Sequence, residues 1–289
     1  SICDPGDEVI IPEPFYANYN GFAQASDVKV IPVTSKIEDN FALPSIELFE
    51  KKINNRTKAI LICNPCNPTG YVYSKEEIIN IANLAKKNDL FIIVDEVYRE
   101  FIYSDLKHFS ILEDETFFDN AILIDSTSKR YSLCGARIGF IVSKNSKFIE
   151  TCMKFALARL SPPTVALIAA NNALKSDNKY IDNVIKEYSM RRKVLIGELS
   201  KINNIEFSDP MGAFYSIIKL PVKNAEEFAK FLLTDFSINN ESVMLAPAAG
   251  FYSSNDNGKD EVRIAFVLNS EKIKRAINII NIGLKEYIG

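Results

Sequence analysis

The chain has 289 residues, 47% hydrophobic and 25% charged, with 34 Lys and Arg against 37 Asp and Glu for a net charge of −3. That length buries a real core in two domains, and the near-even charge gives no reason to expect a nucleic acid or a membrane surface as partner. No apolar run approaches the roughly 18 residues that cross a bilayer.

The chain opens without a methionine and its first readable element starts almost at once, as if joining a fold already under way; it reads as a fragment. Continuous apolar runs at Glu8–Ile11, Val28–Val33, Ala59–Cys63, Leu90–Val94, Ala121–Ile124 and Ile138–Val142 predict strands covered on both faces. Helical patterns fall between them at Pro44–Ile53, Ser74–Lys87 and Phe148–Leu160. In the second of these, Ser74 and Glu77 form a capping box ahead of an Ile78, Ile81, Ala82 and Ala85 stripe. Such alternation predicts an α/β domain, a mostly parallel sheet with crossover helices, over residues 1–176. Pro162-Pro163 interrupts it, a helical segment follows to about Leu174, and a long amphipathic stretch carries Val184, Ile185, Tyr188, Leu195 and Leu199. Beyond it, strand-like runs at Ile205–Phe207, Phe214–Leu220, Val243–Leu245 and Val262–Val267 mix with two helices. The last helix shows Ile273, Ala276, Ile277, Ile280 and Leu284 on one face. Residues 177–289 therefore read as a smaller α+β domain joined through the long helix.

Five cysteines, an odd number, argue against a disulfide scaffold and for a reducing, cytoplasmic setting. A single histidine, His108, leaves most zinc sites without ligands and speaks against a Ser-His-Asp triad. No metal is expected.

The stretch Ser126 to Gly139 lies between two strand runs, so it should project from a sheet edge, where α/β folds keep their ligands. It holds Lys129 directly after Ser126 and Ser128, with Arg137 eight residues on. A reactive amine beside hydroxyl and guanidinium donors suits a ligand with both an aldehyde and a phosphate; an exposed loop lysine is the plain alternative. Asn67-Pro68-Thr69-Gly70 follows the third strand and is either a tight turn alone or a turn presenting the Asn67 amide. Asp95-Glu96 after an apolar strand is similar to the second motif of P-loop ATPases, but no Gly-rich loop ending in Lys-Ser/Thr accompanies it. What remains is a carboxylate at a strand mouth, which a protonated heterocyclic nitrogen would satisfy, with the Tyr98 hydroxyl in reach of a neighbouring ring oxygen. Asp95 as a helix cap fits equally. Cys63-Asn64-Pro65-Cys66 invites a redox or zinc reading, yet no second pair exists and the adjoining turn explains it better. Arg263 sits mid-strand among apolar neighbours, either to grip a carboxylate bidentately or to close a structural salt bridge. Tyr16 offers a ring face for stacking or simply packs in the core.

Taken in order, Asn67-Pro68-Thr69-Gly70, Asp95-Glu96-Val97-Tyr98, Ser126-x-Ser128-Lys129 with Gly135-x-Arg137-x-Gly139, and Arg263 resemble the class I/II aminotransferases of fold type I, nearest the aspartate aminotransferase branch. The resemblance runs the length of the chain. It implies pyridoxal 5′-phosphate as cofactor, with Lys129 forming the Schiff base and carrying the proton. It also implies Asp95 at the pyridine nitrogen, Tyr98 and Asn67 at the phenolic oxygen, and Ser126, Ser128 and Arg137 at the phosphate. Tyr16 would stack on the ring, and Arg263, beside Asn67, would clamp the substrate α-carboxylate. Arg159 falls where relatives shape the side-chain pocket, either as partner to a second carboxylate or as a surface arginine. The implied activity is ping-pong transfer of an amino group between an L-amino acid, aspartate first, and a 2-oxo acid, 2-oxoglutarate first, by a homodimer.

One departure is expected to matter. Members of the family carry an N-terminal segment that contributes to the small domain, to the neighbouring subunit's site and to a phosphate-binding turn. The chain as read starts after it, which predicts an incomplete site, weak cofactor binding and a weakened dimer. The same motifs also occur in fold-type-I carbon–sulfur lyases and aminocyclopropane carboxylate synthases, and in non-enzymatic aminotransferase-like regulatory domains.

Overall fold

The computed structural model describes residues 1–103, 105–254 and 256–289. Its first half is built from β1 (Glu8–Glu13), α1 (Asn18–Ala25), β2 (Lys29–Thr34), α2 (Ile46–Glu50), β3 (Thr57–Cys63), α3 (Lys75–Lys87), β4 (Phe91–Asp95), β5 (Ala121–Ser126), α4 (Thr127–Arg130), β6 (Gly139–Val142), α5 (Ser146–Arg159) and α6 (Thr164–Leu174). The strands form one sheet in the order β2-β1-β3-β4-β5-β6. All neighbours run parallel except β5 and β6.

The expected α/β architecture is present, and the continuous apolar runs have their reason. Ile10, Ile60, Ile62, Ile92 and Val94 face a core closed by α3, while Val9, Ile11, Ala59 and Phe15 pack on the opposite side. In α3 the Glu77 amide donates to Ser74 Oγ at 3.2 Å and the Ser74 amide to Glu77 Oε2 at 2.7 Å, the reciprocal cap expected from sequence. Its stripe buries Ile78, Ile81, Ala82, Leu84 and Ala85.

Several elements differ from expectation. The helix expected over Pro44–Ile53 is only the short α2, and α5 starts at Ser146 because Asn145 caps it, accepting from the Phe148 amide at 3.0 Å. Two 3₁₀ turns, Ile111–Glu113 and Glu115–Phe117, lie between β4 and β5. β6 returns antiparallel, because its link from β5 contains only α4 and a 3₁₀ turn and folds back as a hairpin would.

The second half comprises α7 (Asn178–Leu199), β7 (Glu206–Phe207), β8 (Tyr215–Lys219), α8 (Ala225–Thr234), β9 (Ala246–Pro247), β10 (Glu261–Ala265) and α9 (Ser270–Ile288). Its sheet is antiparallel in the order β7-β8-β10-β9. The strand expected at Val243–Leu245 is not formed; the chain joins the sheet only at β9, where it reaches the edge of β10 opposite Val262 and Arg263. Leu195, Leu199, Phe228, Leu232, Ile273, Ile277, Ile280 and Leu284 make the core, and Tyr98 and Phe101 of the first half extend it. The Tyr98 and Phe214 rings meet edge-on at 5.2 Å, so the two halves pack directly at the carboxyl ends of the parallel strands.

Candidate active site

Parallel pairing sets Cys63 beside Asp95 and Asp95 beside Ile124, so β3, β4 and β5 end along one edge. The segments that follow them, Asn64 to Gly70, Glu96 to Tyr98 and α4, therefore emerge together. The cleft they line with β8 and β10 has a volume of about 900 Å³, and Tyr16, Asn67, Asp95, Tyr98, Ser126, Ser128, Lys129, Arg137, Arg159 and Arg263 all border it.

Asp95 and Glu96 are consecutive carboxylates, and strand alternation sends them to opposite sides. Glu96 is wholly buried and accepts from Ser110 Oγ at 2.9 Å and the Ile111 amide at 3.1 Å, with His108 Nε2 at 2.8 Å. Asp95 faces the cleft. Its carboxylate accepts from the Tyr19 hydroxyl at 2.7 Å and the Val97 amide at 3.2 Å. Burial raises its pKa, those two hydrogen bonds oppose the rise, and the nearby Asp125 and Glu96 add to it. Among the described residues no cation pairs with Asp95, and no helix follows for it to cap. A protonated ring nitrogen would satisfy such a carboxylate.

Lys129 is carried by α4, whose single turn is held at both ends. Ser126 caps it, accepting from the Ser128 amide at 3.1 Å, and Arg130 donates to Asp125 at 2.6 Å in a buried pair. The Lys129 amine lies 5.7 Å from the Tyr98 ring centre and 5.8 Å from that of Phe214. Burial lowers its pKa, opposed by Cys134; Arg263 and Arg137 lower it further, against a smaller pull from Asp95. Such an amine is more readily neutral, as attack on an aldehyde demands. Ser126 Oγ also lies 2.8 Å from Ser128 Oγ, and Arg137, in the left-handed region at φ 58°, donates to the Cys134 carbonyl at 2.9 Å. Two hydroxyls and an exposed guanidinium thus stand beside the amine, a donor set that fits a phosphate.

Arg263 comes from the other half. Its guanidinium lies over the Tyr215 ring at 4.5 Å and the Phe251 ring at 4.8 Å, and donates to Asn67 Oδ1 at 2.9 Å. Its Nε is buried without a partner, and no carboxylate among the described residues pairs with it. The structural salt bridge is therefore not what keeps Arg263 here. An unpaired buried donor costs about 1–3 kcal/mol, and a bound carboxylate would remove that penalty. Because Asn67 Oδ1 accepts from Arg263, the donating end of that amide is left for another oxygen. Gly70 makes this approach possible: at φ +75° a Cβ would lie 2.3 Å from Pro210 Cβ and 2.7 Å from the Tyr215 carbonyl.

Tyr16 meets Tyr19 edge-on at 5.5 Å, and its hydroxyl accepts from Asn18 Nδ2 at 2.9 Å. Arg159, the last residue of α5, is exposed on the rim. Cys63 and Cys66 are buried free thiols whose pKa values burial raises, away from the thiolate that redox exchange and metal binding require. Sequence reading missed Tyr19 and Tyr215. The spacing of Tyr16 and Tyr19, one helical turn apart, is a signal for the first. Tyr215 has none until β8 and β10 are paired.

An amine of lowered pKa, a carboxylate with no cation partner among the described residues, a cluster of hydroxyl and guanidinium donors and an arginine with no carboxylate partner among them suit an anionic aldehyde and an acid as ligands. Residues 1–280 match the family described as aminotransferase class I and II. An aspartate aminotransferase of Pyrococcus abyssi is 32% identical over 286 residues, 97% of this chain and 71% of that protein. Among solved structures, an aromatic aminotransferase from Pyrococcus horikoshii superposes with a TM-score of 0.89 at 31% identity, over 99% of this chain and 75% of that one. An alanine aminotransferase from Pyrococcus furiosus gives 0.86 at 31% identity, over 99% and 72%. The chain belongs to the class I and II aminotransferases, pyridoxal-phosphate-dependent transaminases of the fold-type-I α/β architecture that act on small amino and oxo acids. No helix among the described residues is long and apolar enough to cross a membrane.

Proposed function

We propose that this chain binds pyridoxal 5′-phosphate through Lys129 and transfers an amino group from an L-amino acid, aspartate first, to a 2-oxo acid, 2-oxoglutarate first. The convergence of Lys129, Asp95, Tyr98 and Arg263, from three separate segments, on one cleft carries this reading. Bound there, the cofactor supplies an aldehyde that takes up amines and a ring that withdraws electrons.

The chain's residues then divide the work. Asp95 holds a proton at the ring nitrogen, steadied by Tyr19. Tyr98 and the Asn67 amide donate to the ring oxygen, Tyr16 stacks on the ring, and Ser126, Ser128 and Arg137 hold the phosphate. Arg263 grips the α-carboxylate bidentately and so orients the α-carbon toward Lys129. Lys129, as a neutral amine, would take the α-proton from the seated acid and carry it, proton traffic typically worth about 10²–10⁴-fold in rate. Because amino acid and oxo acid share the Arg263 seat, the first product must leave before the second substrate enters, which is ping-pong order. Arg159 on the rim meets the second carboxylate of aspartate or 2-oxoglutarate.

Residues 1–176 serve as the cofactor-binding domain and 177–289 as the smaller domain that brings Arg263. A second copy of the chain covers the apolar surface of α5 and α6, where Phe155, Leu157, Leu160, Val165 and Ile168 are exposed. Free cysteines suit a cytoplasmic setting. The test is a visible absorbance spectrum with added cofactor. The wild type is expected to turn yellow, Lys129→Ala is not, and the band should bleach with aspartate and return with 2-oxoglutarate. Release of ammonia and pyruvate instead would make it a lyase.

A further inference from the structure

Arg263 and Tyr98 belong to different halves of the molecule, and one residue touches both. In the antiparallel pair of β8 and β10, Arg263 stands opposite Ile217 and Ala265 opposite Tyr215. Tyr215 is therefore the diagonal neighbour of Arg263 on the same face, a separation an aromatic side chain can span. Its ring lies 4.5 Å beneath the guanidinium carbon, and its hydroxyl is 2.9 Å from the Tyr98 hydroxyl. Both tyrosines are buried, at 7% and 3% exposure, so solvent does not replace either contact.

A phenol has one proton and two lone pairs. If Tyr98 gives its proton to the cofactor's ring oxygen, the Tyr98 oxygen can still accept, and Tyr215 is the donor placed to supply it. The order is then Tyr215 to Tyr98 to ring oxygen, a chain in which each hydrogen bond polarises the next. We infer that Tyr215 is a positioning residue with two separable tasks: its ring seats Arg263, and its hydroxyl supports Tyr98 as donor to the cofactor. This rests on the reading of Tyr98 and Arg263 proposed above. It adds a link between them, since the Arg263 cation stacked on the Tyr215 ring makes that phenol a stronger donor. A carboxylate arriving at Arg263 weakens the same field. Docking of the substrate acid is thereby felt at the ring oxygen, with no movement of the backbone.

The two tasks call for two variants of the cofactor-loaded protein. Y215F keeps the ring and removes the hydroxyl; Y215L removes both. One readout is the pH midpoint of the cofactor's visible absorbance, and the other is the Kd for maleate, a dicarboxylate without an amino group to react, by calorimetry. Hydrogen bonds at the ring oxygen favour its anionic form, so weakening them raises the midpoint. Y215F is expected to raise it by roughly half a pH unit, less than Y98F does, and to hold the maleate Kd within about twofold. Y215L should raise the midpoint likewise and weaken maleate roughly fivefold, through loss of the cation–π seat. A normal wild-type band with an unmoved midpoint in Y215F overturns this inference alone, as does undiminished maleate binding by a folded Y215L. A wild type that takes up no cofactor overturns both this and the reading beneath it.

Discussion

The cleft has two sides built on different principles. The edge of β3, β4 and β5 presents Asp95 from the last position of β4, and Asn67 and Lys129 from the segments that follow β3 and β5, so each is placed by local chain geometry plus parallel pairing. The facing side presents Arg263 from the middle of β10 and Tyr215 from the first position of β8, placed by antiparallel register. The second side is also tied to the first, because Arg263 rests on Tyr215 and Phe251 and bonds Asn67 across the boundary.

That contrast can be broken at its strongest point first. Lys129→Ala should lower turnover by more than about 10⁴-fold in single-turnover assays while leaving the melting temperature unchanged or higher, since the residue removed is a desolvated amine. Arg263→Leu is expected to reduce kcat/KM about 10²-fold for amino acid and oxo acid alike, the signature of one shared carboxylate seat. Loss for only one of them would show that the facing side has two seats.

Gly70→Ala tests the boundary itself. With φ at +75° and a Cβ 2.3 Å from that of Pro210, urea titration should show a loss of about 2–4 kcal/mol, and the separation of Asn67 from Arg263 should degrade substrate binding in proportion. Unchanged stability would mean that the turn and β8 part freely.

A subtler sharpening uses pH. The rate at which the apo-protein takes up cofactor should rise with pH as Lys129 loses its proton, and complete that rise below the ordinary lysine range, because burial lowers its pKa. Arg263→Gln removes one of the cations that lower it, so the uptake profile should move to higher pH. An unmoved profile would show that the two sides do not communicate electrostatically. Ser74→Ala, in the cap of α3 and outside the cleft lining, should cost about 1 kcal/mol of stability and leave the uptake profile where it was.

How much was readable in advance follows the same divide. The parallel strands, the Ser74 cap and the α9 stripe were visible because continuous apolar runs and a 3.6-residue period are local signals. Lys129, Asp95 and Asn67 stood out because each is a polar residue where an apolar strand stops. Tyr19 escaped because its partner Asp95 is 76 residues away. The strand expected at Val243–Leu245 failed because propensity cannot say where an edge strand finds its neighbour, and β6 turned antiparallel because its link proved too poor in helix to cross over.

The amino-acid order by itself determined the types of group available, an amine, a carboxylate, phenols and guanidiniums, and the strand ends that would display them, since both depend on short-range pattern. Only the tertiary structure decided that, among the described residues, no carboxylate pairs with Arg263 and no cation with Asp95, and that Tyr215 lies between Arg263 and Tyr98. Those are facts of desolvation and distance between residues remote in the chain, and no local period encodes them.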